Sequence, residues 1–215
     1  MSADTDKLIA SLSSGLAPVH PPMRAEITAL LWLLASAGFV IGITYWFGPI
    51  RANALHQLAT QPRFLLETLF GFGAIGVTAL MAFRTAVPGA ASRMGVLIGL
   101  GLLALWLANY VVGLVYPALE PSMLGKRDHC FSETLMFALA PAGLALLLGR
   151  RFYPLRPVYS TALFCLAAAM LPALYMQLAC MYEPAHILQM HILPALLVTL
   201  AGTACAWGWS RFKRR

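Results

Sequence analysis

The sequence predicts an all-α fold, a polytopic membrane protein built as a bundle of six transmembrane helices, and three observations carry that prediction. Of 215 residues, 60% are hydrophobic and only 11% charged, against the roughly 25% charged residues of a soluble domain. Six apolar stretches match the about 20 residues that a helix needs to cross a bilayer: residues 26–47, 64–83, 94–116, 130–149, 159–179 and 189–209. The loops between them are short. A helix satisfies its own backbone hydrogen bonds in lipid, whereas barrel strands would show alternating ten-residue segments.

The chain divides into a polar leader (residues 1–25), the six-span domain (26–209) and a basic tail (210–215). The leader lacks a signal-peptide pattern, because MSADTDKLIASLSSGL is polar and acidic before any apolar run begins. Within it Leu8, Leu12 and Leu16 fall four apart with Ile9 beside Leu8. On a helix that spacing draws one apolar stripe. A free helix this short is marginal in water, so the stripe calls for a partner or a membrane surface. APVHPP then breaks the helix and leads into the first span.

Lys and Arg counts set the orientation. Lys7, Arg24, Arg84, Arg93, Arg150, Arg151, Arg156, Arg211, Lys213, Arg214 and Arg215 fall on one side, and only Arg51, Arg63, Lys126 and Arg127 on the other. Both termini are therefore expected in the cytoplasm. The formal net charge of +7 sits at helix ends in short loops, where anionic lipid headgroups are nearer partners than nucleic acid.

With this topology Cys130, at the start of span four, and Cys180, at the end of span five, share the outer face. Around that level lie Asp128, His129, Met181, Glu183 and His186, with Met176, Met190 and His191 about a turn into the spans. Glu67 and Glu133 open spans two and four on the same side, and Asn109 and Tyr110 close span three there. A carboxylate in lipid is costly and usually faces a polar interior, so spans two to six are expected to line one outward-facing pocket. Cys165 and Cys205, inside apolar runs, read as packing residues.

Three chemistries suit Cys130 and Cys180: a structural disulfide, a reversible thiol–disulfide switch, and a soft-metal site. For the last, thiolate, imidazole and thioether donors from Cys130, Cys180, His129, His186, Met181 and Met190 suit copper or zinc better than calcium or magnesium. The metal ligands expected here are Cys130, Cys180 and His129. No cofactor is required. Catalysis is not expected, since there is no Cys-x-x-Cys pair, no facing intramembrane histidines for a haem and no Ser-His-Asp set.

Taken together, DKLIASLSSGLAPV at the N-terminus, QPRFLLE at 61–67, RTAVPG at 84–89, Cys130, Cys180 and the six-span plan resemble a known family. It is that of the six-span anti-sigma proteins typified by the negative regulator of sigma F (NrsF). The resemblance implies an inner-membrane regulator that holds an extracytoplasmic-function (ECF) sigma factor and releases it on oxidant or heavy-metal stress in the periplasm. It makes Cys130 and Cys180 the sensor thiols and places sigma binding on Leu8, Ile9, Leu12 and Leu16. Glu67 matches the family's PRFLLE segment without a role attached. The competing reading is a small-solute or metal-ion transporter lined by Glu67, Asn109 and Glu133. It requires polar groups through the full membrane depth, and the inner halves of the spans are almost wholly apolar.

Overall fold

The computed structural model describes residues 3–14, 22–48 and 50–213. Leu16 of the N-terminal stripe and the last two arginines of the tail lie outside them. The described elements run α1 (Ala3–Ser13), α2 (Ala25–Phe47), α3 (Ala54–Thr60), α4 (Pro62–Ala86), α5 (Arg93–Gly113) and α6 (Cys130–Gly149). After a short 3₁₀ turn at Arg150–Phe152 come α7 (Pro157–Ala179), α8 (Pro184–Ile187), a π turn at Leu188–Ile192 and α9 (Leu193–Phe212). Among the described residues no strand occurs; one isolated bridge pairs Ser122 with Tyr182.

Among the described residues six helical segments are long and apolar enough to cross a membrane, and the chain is a multi-pass membrane protein. Their starts follow local chemistry. Pro62, Pro157 and Pro184 open α4, α7 and α8, where a missing N–H leaves no intrahelical bond unmade. The Ser92 hydroxyl accepts from the Gly95 N–H at 3.2 Å and caps α5.

The sixth span departs most from its expected bounds: its helix begins at Pro184 instead of residue 189 and includes the π turn. Pro194 supplies the physical reason. It has no N–H to give, and its ring would meet the carbonyl of Met190 four residues earlier. Widening Leu188–Ile192 to i→i+5 bonding relieves that conflict and keeps the helix continuous.

Helix α7 forms the core of the bundle. It packs on α2, α4, α6 and α9, and nearly every residue from Ala167 to Ala179 is buried. Its alanines explain why. Ala167, Ala168, Ala169, Ala173 and Ala179 let neighbouring backbones approach closely, the usual basis of helix association in lipid. At Gly71 in α4 an added Cβ would fall 3.0 Å from the Trp106 ring and 2.6 Å from Leu174; the missing side chain admits both. Helix α2 is tied to α6 where the Trp32 indole N–H donates to the Pro141 carbonyl at 2.9 Å. Outward faces carry Leu30, Leu34, Leu97, Leu105, Leu147 and Leu200, all exposed, as a lipid-facing surface requires.

Successive spans alternate in direction, so the ends of α2, α5 and α7 meet the starts of α4, α6 and α8 at one end of the bundle. Loop contacts bind this end. The Arg51 N–H donates to the Ala179 carbonyl at 3.2 Å, and Arg127 Nη2 donates to the Thr44 carbonyl at 3.3 Å. At the opposite end Arg84, late in α4, pairs with Glu26, early in α2, at 2.8 Å.

Candidate functional site

Cys130 is the first residue of α6 and Cys180 the residue that ends α7. Although fifty residues apart in sequence, their sulfurs lie 2.7 Å apart. Each is placed by its own backbone. His129 leads into α6 with its carbonyl accepting from the Glu133 N–H at 2.8 Å, which fixes the helix start. Cys180 is extended and donates its N–H to the Met176 carbonyl at 2.8 Å, which holds it against the last turn of α7. Both thiols are buried, with Met181 beside them and Met190 packed on the group.

Two imidazoles complete the arrangement. His186 Nε2 lies 3.5 Å from Cys180 Sγ, and the His186 and His191 rings stand perpendicular with centroids 5.2 Å apart. One donor atom from each of Cys130, Cys180, His186 and His191 falls within 4.8 Å of the others. In a regular α-helix, residues five apart point about 140° away from each other. His186 lies in α8 and His191 in the π turn that follows it, whose wider i→i+5 bonding narrows that angle.

His191 is completely buried, and neither of its ring nitrogens has a hydrogen-bond partner. Cys180 sits just beyond the end of its span. The Cys130 thiol at 2.7 Å, followed by the imidazoles of His186 and His191, favours its thiolate and holds its pKa well below the ordinary thiol range. Cys130 Sγ also lies 3.3 Å from the Arg127 carbonyl. These sulfurs and imidazoles can do two things chemically: form a disulfide, or share a soft cation.

A second polar cluster sits at the same end, and sequence reasoning reached only part of it. Glu67, almost wholly buried, accepts from Gln177 Nε2 at 2.9 Å and from the Tyr182 hydroxyl at 3.0 Å. Gln177 in turn accepts from the Tyr110 hydroxyl at 2.6 Å, and its Nε2 also reaches Thr68 Oγ1 at 3.3 Å. Tyr182 accepts from the Ala118 N–H at 3.2 Å. Burial, and then the neighbouring Glu67 carboxylate, push the Tyr182 phenol upward, so it stays protonated and donates. Arg51 lies nearby with its guanidinium over the Phe64 and Tyr182 rings at 5.7 and 5.9 Å.

The remaining expected residues divide between partners. Glu133 pairs with Arg127 at 2.8 Å, both side chains about nine-tenths buried, so this carboxylate secures the start of α6. Asn109 turns back to the Leu105 carbonyl at 2.8 Å. The His129 side chain is exposed, and the four converging donors do not include it. Cys165 is buried and Cys205 exposed. Leu8, Ile9 and Leu12 are exposed on α1.

Fold and site together define a multi-pass helical membrane protein carrying a buried thiol–imidazole cluster at one end of its bundle. The particular family follows from comparison: residues 12–212 match the family described as NrsF, negative regulator of sigma F, and the chain belongs to it. It is thus a member of a family of negative regulators of a sigma factor, not a known enzyme family. No curated protein and no solved structure matches the chain.

Proposed function

We propose that this chain is an inner-membrane anti-sigma factor that holds an ECF sigma factor in the cytoplasm and releases it when Cys130 and Cys180 react in the periplasm. The observation that carries this reading is the 2.7 Å separation of two sulfurs from distant parts of the chain. They lie at the end of the bundle away from Glu26, where the chain enters α2 from its N-terminal segment. The cation asymmetry of the loops supports thiols outside and both termini inside.

On the cytoplasmic side, the exposed stripe of Leu8, Ile9 and Leu12 on α1 is the surface offered to the sigma factor. An amphipathic helix laid into an apolar groove is a common recognition mode. On the periplasmic side, a peroxide provides the simplest chemistry. The Cys180 thiolate attacks one peroxide oxygen, giving a sulfenic acid and releasing the other oxygen as water after protonation. The Cys130 thiol then attacks that sulfur, expelling a second water and leaving a disulfide. Two thiols lose two electrons and two protons, and the peroxide gains both.

Either a disulfide or a bound soft cation alters how the start of α6 sits against the end of α7. Helix α7 touches α2, α4, α6 and α9, so a change at its end is felt across the bundle, including α2, which continues from the sigma-binding segment. The signal acts only through its different affinity for the sigma-bound and sigma-free states, typically about 1–3 kcal/mol of coupling.

The test is sigma-dependent transcription in cells carrying Cys130→Ser, Cys180→Ser or a deletion of residues 2–22. The cysteine variants should abolish induction by oxidant while still silencing the sigma factor. The deletion should lose silencing although the six spans still insert. Normal induction in both cysteine variants would remove the thiols from the mechanism.

A further inference from the structure

We propose that Cys130, Cys180, His186 and His191 form a four-ligand site for a thiophilic d¹⁰ dication of the Zn²⁺ class, with two thiolates and two imidazoles in tetrahedral array. The site rests on the same cysteines as the sensor reading and adds two histidines and a definite ligand chemistry to it.

The geometry favours a metal over four independent side chains. The four donor atoms, from the start of α6, the end of α7, α8 and the π turn, already lie within 4.8 Å of one another. A tetrahedral zinc with Zn–S of about 2.3 Å and Zn–N of about 2.0–2.1 Å needs its donors roughly 3.3–3.8 Å apart. Contraction of the outer pairs and an opening of the sulfurs by about 1 Å produces that figure. Two sulfurs with two imidazoles is a familiar zinc set.

The strongest single pointer is His191. It is completely buried with both ring nitrogens unpartnered, a state that folded proteins rarely tolerate because a buried polar group without a partner is destabilising. A metal bond at one nitrogen removes that penalty. At Glu67 nearby, by contrast, both carboxylate oxygens and the Gln177 amide have hydrogen-bond partners.

The π turn is the second pointer. It carries His191 while α8 just before it carries His186, the two rings stand 5.2 Å apart, and π turns recur at functional sites. Met181 and Met190 pack around the sulfurs, giving an apolar, polarisable shell that keeps water from competing for the ion. Metal capture and disulfide formation use the same two sulfurs, so each excludes the other.

The experiment uses the full-length chain purified in detergent, reduced and stripped with a chelator, then titrated with Zn²⁺ and, separately, Co²⁺. Wild type should take up one Zn²⁺ per chain, and its Co²⁺ form should show the visible bands of a tetrahedral thiolate complex. His186→Ala and His191→Gln should each change those bands and weaken Zn²⁺ binding by more than the roughly 10–100-fold that loss of an outer partner causes. His186 is only partly buried, so its variant should fold even if that at His191 does not. Absence of stoichiometric binding, or Co²⁺ bands unchanged in the His186 variant, overturns the site.

Sigma release, followed in parallel, separates the two readings. Stoichiometric metal binding by wild type, with unchanged induction in Cys130→Ser, would sink the sensor reading and leave the metal site. Loss of induction in that variant, with no metal bound by wild type, would do the reverse.

Discussion

Two buried polar clusters lie within one end of this bundle, and they are built on opposite principles. Around Glu67 both carboxylate oxygens have donors, the Gln177 amide is used on both sides, and Tyr182 both gives and receives a hydrogen bond. Around Cys180, His191 has two unpartnered nitrogens and two sulfurs press together at 2.7 Å. The carboxylate, amide and phenol of the first cluster satisfy one another; the second is completed only by a bond or an ion. The difference teaches where rigidity ends and reactivity begins: Gln177 and Tyr182 flank Cys180 by three and two residues, so the closed network anchors the segment that carries the reactive thiol.

The largest effect should come from opening the closed cluster. Gln177→Leu keeps the volume but leaves Glu67 Oε1 without its amide donor and the Tyr110 hydroxyl without its acceptor. Each stranded buried group costs about 1–3 kcal/mol, and more when charged. Interhelical hydrogen bonds in membrane proteins average only about 0.6 kcal/mol, which pulls the expectation toward about 2–3 kcal/mol of lost stability. Denaturant unfolding of the detergent-solubilised chain measures it. A loss below about 0.5 kcal/mol would mean the network is ornamental and does not hold Cys180.

The opposite sign is expected in the other cluster. His191→Leu removes a buried imidazole that makes no hydrogen bond and replaces it with an apolar side chain of similar size. Such exchanges are neutral or stabilising, here by up to about 1 kcal/mol in the reduced, chelator-treated chain. The same variant should lose its response to metal. A protein that is no less stable yet blind to its signal is the signature of a residue kept for function. Marked destabilisation of this variant would place His191 with the structural cluster instead.

How far the sequence foretold this arrangement depends on which physical signal each residue left. Six spans follow from apolar length alone, and a shared face for Cys130 and Cys180 follows from counting turns of direction, since both thiols fall at span ends; their 2.7 Å approach leaves no signal in the sequence. Glu67 and Glu133 fall at the same end by that count, but their partners leave no sequence signal. Gln177 lies in LYMQLAC, where one amide in an apolar run carries no periodic signal. Tyr182 and Arg51 act through loops whose folding no local pattern reveals. The pairing of His186 with His191 is hidden for a sharper reason: helical spacing sends residues five apart to different faces, and the π turn between α8 and Pro194, which narrows that angle, leaves no periodic signal.

His129 tests that last point with the smallest expected change. Sequence proximity makes it the natural third ligand beside Cys130, yet its backbone carbonyl serves the start of α6 and its side chain is exposed. Exposed side chains outside any cap or network usually shift stability by no more than about 0.5 kcal/mol. His129→Ala should therefore unfold like wild type, bind Zn²⁺ with unchanged affinity and leave the Co²⁺ bands in place, while His186→Ala alters them. If His129→Ala changes the bands and His186→Ala does not, the ion is held at the mouth of α6 by a side chain that swings inward on binding. The π turn would then be a packing solution around Pro194 with no part in ligation.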